Sequence, residues 1–188
     1  MNDEVFKWAL DLRWQPAIRT VPPWHDSPAY IKALARDVRA AVKKKGKPDA
    51  LVVSFHGVPK SYHMAGDPYH CQCQKTTRLL KERLGWQDTE IRTTFQSKFG
   101  PEEWLKPYTV EEVARLAEEE GKKNIAVIAP AFSADCIETL EEINEEIKES
   151  FEEAGGEDFL YIPCLNDDPE HVSALCTVID ENLHGWAG

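Results

Sequence analysis

Five glutamates and one histidine in this chain have the types and spacing to handle a divalent metal ion and protons. Glu138, Glu142 and Glu146, followed by Glu149 and Glu153, recur at steps near four residues, so a helix carrying them stacks their carboxylates in one ridge. No lysine or arginine interrupts the ridge before Lys148. Like charges at that spacing destabilise an isolated helix by about 0.2–0.5 kcal/mol per pair. A solvated acidic face, favoured by the helix dipole over its first turns, is one explanation. A relay of hard oxygen ligands for a divalent cation is the other. His56 carries the same double reading: an imidazole bonded to backbone at a strand end, or a metal ligand or general base that titrates near neutrality. Cys71 and Cys73 are close enough in sequence to bind a metal or an iron–sulfur cluster, but such sites usually need four ligands, and free thiols near a helix start compete with that reading. His63, His70 and His171 read as loop or helix-start residues with no role attached.

The elements that must position these residues follow from hydrophobic periodicity. Ala50–Phe55 and Asn124–Ala129 are continuous apolar runs of the kind buried on both faces of a parallel sheet. Ala17–Val21, Glu90–Phe95 and Phe159–Ile162 read as further strands. Helices are expected over Pro28–Lys45, with Tyr30, Ile31, Leu34, Val38, Ala41 and Val42 on one face, and over Gln74–Leu84, Val110–Glu120, Ile137–Ala154 and Pro169–Leu183. Ser27, Pro28 and Gly46 supply start and stop signals for the first of these. The stretch from His56 to His70 reads as a loop, and Val5–Leu12 as a short helix with no partner. Alternation of strand and helix implies an α/β domain: a parallel sheet of four to five strands with helices on both faces, Rossmann-like.

In such sheets ligands bind beyond the carboxyl ends of the strands. That edge gathers His56, Lys98, Trp104, Asp135, Cys136 and Glu138. Neither G-x-G-x-x-G nor G-x-x-x-x-G-K-[ST] follows any strand, so no nucleotide cofactor is expected. The balance of 22 Lys+Arg against 33 Asp+Glu, net −11, opposes a nucleic-acid or anionic-membrane partner. No apolar run reaches the roughly 18 residues of a spanning helix, and Met1-Asn2-Asp3-Glu4 lacks an apolar export core. Five cysteines scattered along the chain fit a reducing compartment, so a cytoplasmic location is expected.

Several ordered motifs resemble the C-terminal half of ferrochelatases, the enzymes that insert Fe²⁺ into protoporphyrin IX. They are Ser54-Phe55-His56-Gly57-Val58-Pro59, Gly66-Asp67-Pro68-Tyr69, Phe95-Gln96-Ser97-Lys98-Phe99-Gly100-Pro101 with Trp104-Leu105-Lys106-Pro107, Ala131-Phe132-Ser133-Ala134-Asp135-Cys136-Ile137-Glu138-Thr139-Leu140, and Tyr161-Ile162-Pro163-Cys164-Leu165-Asn166. The resemblance implies a chelatase-type domain over residues 17–188, preceded over 1–16 by the last helix of a crossover from an N-terminal domain. It implies catalytic roles for His56 and Glu138, a metal path over His56, Glu138, Glu142 and Glu146 along a helix with a π-type distortion, and porphyrin contacts from Trp104, Phe132, Asp135, Cys136 and Ser97. Fe²⁺ and protoporphyrin IX would be substrates, with a separate N-terminal half or a second copy as partner. Cys136 stands where animal members carry histidine. Members with a [2Fe–2S] cluster, the animal enzymes among them, hold it partly by a C-terminal extension; with no cysteine-rich tail before Gly188 that form is not expected here, and Cys71 and Cys73 leave an internal cluster open but short of ligands. A non-catalytic haem, porphyrin or metal-binding module is the alternative. A cobalt chelatase for sirohydrochlorin shares the fold type, but its carboxylate-rich substrate suits a basic cleft better than this acidic helix.

Overall fold

The computed structural model describes residues 2–186; Met1 and Gly188, at the ends of the sequence read above, lie outside them. Four parallel strands, β1 (Ala50–His56), β2 (Ile91–Gln96), β3 (Asn124–Ile128) and β4 (Asp158–Ile162), form one sheet in the order β2-β1-β3-β4. All three pairings are parallel, with Ser54 opposite Thr94 and His56 opposite Gln96. The two-residue period sorts each strand's side chains between two cores. Leu51, Val53 and Phe55 pack with Ile91 and Phe95 under α2 (Pro28–Lys45) and α4 (Tyr69–Leu84). Ala50 and Val52 pack with Ile125 and Val127 under α5 (Thr109–Glu118) and the helix that follows β3. The α/β layering expected from the sequence is therefore present, with four strands.

Four expectations need correction. Ala17–Val21 is irregular and exposed rather than a strand. Pro16, Pro22 and Pro23 bracket it and cannot donate to a ladder. Arg19 pins the segment instead to the end of α8 (Pro169–Leu183), donating to the His184 carbonyl at 3.2 Å and lying 4.7 Å from the Trp186 ring. The 56–70 stretch is not all loop, because α3 (Lys60–Met64) lies inside it. Helix α4 starts at Tyr69, five residues before the apolar periodicity begins, because Asp67 Oδ1 accepts the Tyr69 N–H at 2.8 Å and holds the first turn.

The expected single helix over Ile137–Ala154 is three pieces: α6 (Ile137–Leu140), a π-helical segment (Glu142–Ile147) and α7 (Lys148–Glu153). The Glu146 N–H reaches back five residues to the Glu141 carbonyl at 3.1 Å. Ile143, Ile147 and Phe151 bury one face of this composite helix against the sheet. At the chain's start, α1 (Asn2–Leu10) buries Ala9 and leaves Val5, Phe6, Trp8 and Leu10 exposed. No helix among the described residues is long and apolar enough to cross a membrane.

Candidate active site at the carboxyl edge of the sheet

His56 is the last residue of β1, and strand parity turns it to the face that the π-containing helix covers. Its Nδ1 lies 2.7 Å from the Gly57 carbonyl. A carbonyl oxygen can only accept, so Nδ1 carries the hydrogen and Nε2 is left free to bind a metal or take a proton. The ring stands between two aromatics, with centroids 6.2 Å from Trp104 and 6.3 Å from Phe132. Gly57 makes the Trp104 wall possible, since a Cβ there would lie 2.9 Å from both the Gln96 carbonyl oxygen and the indole edge. The Trp104 segment is tied down by a bridge to Pro59 and by the Leu105 N–H donating to the Val58 carbonyl at 3.0 Å.

Glu138 faces His56 from the first turn of α6. A hydrogen bond from the Cys136 thiol and the local backbone hold its carboxyl below the ordinary value, so it is ionised at neutral pH. The Cys136 thiol is pushed up by burial and by that same carboxylate. Ile137, Glu138, Glu141, Glu142 and Glu146 line an open hollow of about 290 Å³. Of the five ridge glutamates, Glu149 and Glu153 are absent from it, and Glu141 joins, three residues on from Glu138 and so on the same side of the helix.

Glu142 is held differently from its neighbours. One carboxylate oxygen accepts the Ser97 N–H at 2.6 Å; the other accepts the Ser97 hydroxyl at 2.5 Å and the Gln96 amide at 3.0 Å. Ser97 reaches this pose with a left-handed φ of 59°. The Gln96 amide also donates to the Glu138 carbonyl at 2.8 Å, while its own oxygen accepts from Ser54, which contacts Thr109. This buried polar chain ties the strand ends to the distorted helix. Sequence reasoning missed Gln96; its parity with Thr94 on the His56 face was the available signal.

Asp135 is expected at the porphyrin, yet its carboxylate is already occupied. It accepts from Tyr161 at 2.6 Å, Asn166 Nδ2 at 2.8 Å, Thr139 at 3.1 Å and the Cys164 N–H at 3.2 Å. Asn166 returns the bond by accepting the Asp135 N–H at 2.8 Å. Burial alone would raise the Asp135 carboxyl, but these donors outweigh it and hold the group below the ordinary range. Asp135 thus fixes the loop that begins α6, and Phe132 and Glu138 ride on that loop. Neither Tyr161 nor Asn166 carried a sequence signal for this role.

Cys71 is exposed, Cys73 is buried, and burial pushes the Cys73 thiol up to about 12. Among the described residues, no three of His, Cys, Asp and Glu converge into a ready-made metal cage.

A sequence profile described as Ferrochelatase matches residues 1–183. The ferrochelatase of Rhodobacter capsulatus is 63% identical over 186 residues, 98% of this chain and 53% of that protein. That of Rhizobium meliloti (strain 1021) is 55% identical over 187 residues, 99% of this chain and 55% of that one. The chain therefore spans about half the length of these relatives. SirB from Bacillus subtilis with Fe³⁺ superimposes with a TM-score of 0.56 at 16% identity, covering 80% of this chain and 54% of that one. CbiX, described as the terminal enzyme for biosynthesis of sirohaem in denitrifying bacteria, does so at 0.58 and 15%, covering 89% and 63%. Those two likenesses concern the fold; the sequence matches decide the family. This chain belongs to the ferrochelatase family.

Proposed function

We propose that this domain forms one wall of a cleft in which Fe²⁺ is inserted into protoporphyrin IX, both as substrates. The observation that carries the reading is the pairing of His56, with one nitrogen free, against an ionised Glu138 between aromatic walls. Metallation replaces two pyrrole N–H protons by one metal ion. It needs a base at the ring, an anionic ligand that brings the ion in, and an apolar slot that holds the macrocycle. His56 Nε2 accepts a pyrrole proton. Glu138 presents the ion, and Glu141 and Glu146 in the adjoining hollow supply oxygens along its approach. Glu142 serves that path from its clamp on Ser97 and Gln96. Trp104 and Phe132 contact the ring, with Ser97 and Cys136 at its margin and Asp135 fixing the loop. The reading involves no nucleotide or iron–sulfur cluster and places the reaction in the cytoplasm.

Residues 17–188 are the metallating domain in this reading, and the helix within 1–16 belongs to a crossover from a facing domain. Phe99, Ile137 and Leu140 at the same edge are 81%, 67% and 52% exposed, the apolar rim a facing wall would cover. That wall comes from an N-terminal half or from a second copy. The test is metallation of protoporphyrin by the chain, alone and mixed with the N-terminal half of a relative. His56→Ala and Glu138→Gln are expected to cut the rate by about 10²–10⁴-fold, the usual worth of a positioned acid or base. Haem or porphyrin binding unchanged in both variants, with no metallation under any mixture, would favour a carrier module instead.

A further inference from the structure

The face of the sheet opposite His56 carries a second imidazole cluster. His63, from α3, and His70, from the first turn of α4, have ring centroids 4.8 Å apart. They are seven residues apart in sequence and meet because Gly66, at φ 96°, and the Asp67–Tyr69 turn fold α4 back against α3. His70 also stacks on Phe95, at 5.8 Å and 26° between planes, which fixes its ring. Phe95 belongs to the core under α2 and α4, so the sheet lies between this pair and His56.

Two observations point to a ligand. His63 Nδ1 is shielded from solvent and has no hydrogen-bond partner, a state that is unfavourable for a polar atom unless something outside the chain completes it. A centroid spacing of 4.8 Å lets each ring turn one nitrogen onto a shared ion at roughly 2.0–2.1 Å. No third His, Cys, Asp or Glu completes a cluster among the described residues, so water would fill the remaining positions and keep the site exchangeable. Two nitrogens with no carboxylate favour zinc, copper, nickel, cobalt or ferrous iron over magnesium or calcium.

We propose that His63 and His70 together bind one divalent transition-metal ion, at a site separate from His56 and Glu138. The pair does not depend on the cleft reading above. It is joined to that edge by the Tyr69 hydroxyl, which donates to the His56 carbonyl at 2.9 Å, and by Lys60 of α3, whose N–H donates to the Glu103 carbonyl beside Trp104 at 2.8 Å.

Zinc uptake by the whole chain, measured by titration calorimetry, tests the proposal in His63→Phe, His70→Phe, the double variant and His56→Phe. Phenylalanine keeps an aromatic ring against Phe95 and removes the nitrogens. Each single variant is expected to lose one zinc ion per chain, the double variant to lose no more, and His56→Phe to leave that ion in place. His70→Cys, which restores a ligand, should recover it. Unchanged uptake in His63→Phe and His70→Phe with unchanged melting temperatures overturns the proposal. So does a loss in only one of the two, because the ion is then not shared. Should a Phe variant fail to fold, the imidazole nitrogen resonances of the unaltered chain decide. Both His63 and His70 must shift with zinc, and a shift in neither sinks the idea.

Discussion

Asp135 and Glu138 stand three residues apart at one helix start, carry the same functional group, and have opposite surroundings. Four donors saturate Asp135, and three of them, Tyr161, Cys164 and Asn166, come from β4 and the loop that follows it. Glu138 has the Cys136 thiol and an open hollow in front of it. Both carboxyls are held below the ordinary range, Asp135 by bonds that fix a loop and Glu138 by a contact that leaves oxygen free. A lowered carboxyl alone therefore does not mark a ligand; what the remaining lone pairs face does.

The sharpest way to break this contrast is to remove the charge at each site. Asp135→Ala leaves several donors without their acceptor and should cost about 2–4 kcal/mol in urea unfolding, given roughly 1–3 kcal/mol for a lost charged hydrogen bond. Glu138→Gln should leave the unfolding midpoint essentially unchanged, as an open-facing substitution does, while weakening metal uptake. If Glu138→Gln proved the more destabilising change, the division of labour would be reversed.

The same contrast has a pH signature. Because folding depresses the Asp135 carboxyl below its ordinary 3.8, its stabilisation is complete above that unfolded value and lost as pH falls through the lower folded one. Unfolding midpoints of the chain and of Asp135→Asn, followed downward from pH 5, should therefore converge in acid. Parallel curves would mean that the four donors contribute nothing through the ionised form.

Gly57→Ala probes the open side. The added methyl meets backbone at 2.9 Å and so must move either β2 or Trp104. A cost of about 1–3 kcal/mol is expected, with weaker porphyrin binding measured by tryptophan quenching. Ser97→Ala is expected to cost about 1 kcal/mol, less than Asp135→Ala, since it removes one of three bonds to Glu142. Metal uptake that rises in this variant would show that the clamp restrains Glu142 as a ligand.

Apolar runs made the sheet legible, because strands buried on both faces leave little choice of residue: Leu51–Val53 and Ile125–Ile128 read as what they are. Ala17–Val21 misled because its apolar content resembled a strand's, while its flanking prolines and the reach of Arg19 to α8 decided otherwise. His56, Glu138 and Trp104 could be picked out by type and by their place after strands, whereas Phe132 came only with the family resemblance. The π segment could not be read from spacing, since glutamates four apart look alike in either helix; what distinguishes it is tertiary, the Ser97 and Gln96 donors on Glu142. The Asp135 loop was hidden for the same reason, with Tyr161 and Asn166 contributed from later in the chain.

The bond from His56 Nδ1 to the Gly57 carbonyl has one more consequence. It makes the imidazole a base with a single port: a proton taken at Nε2 has to leave by Nε2, because the other nitrogen is committed to the backbone. Such a residue cannot pass protons through itself from one side to the other. Release must wait until whatever supplied the proton has moved aside, or hand it to an acceptor reachable from that same nitrogen. On the proposed reading, the base is therefore reset in one of two ways, by movement of the occupant of the cleft or by transfer from Nε2 to an acceptor such as the facing Glu138 carboxylate.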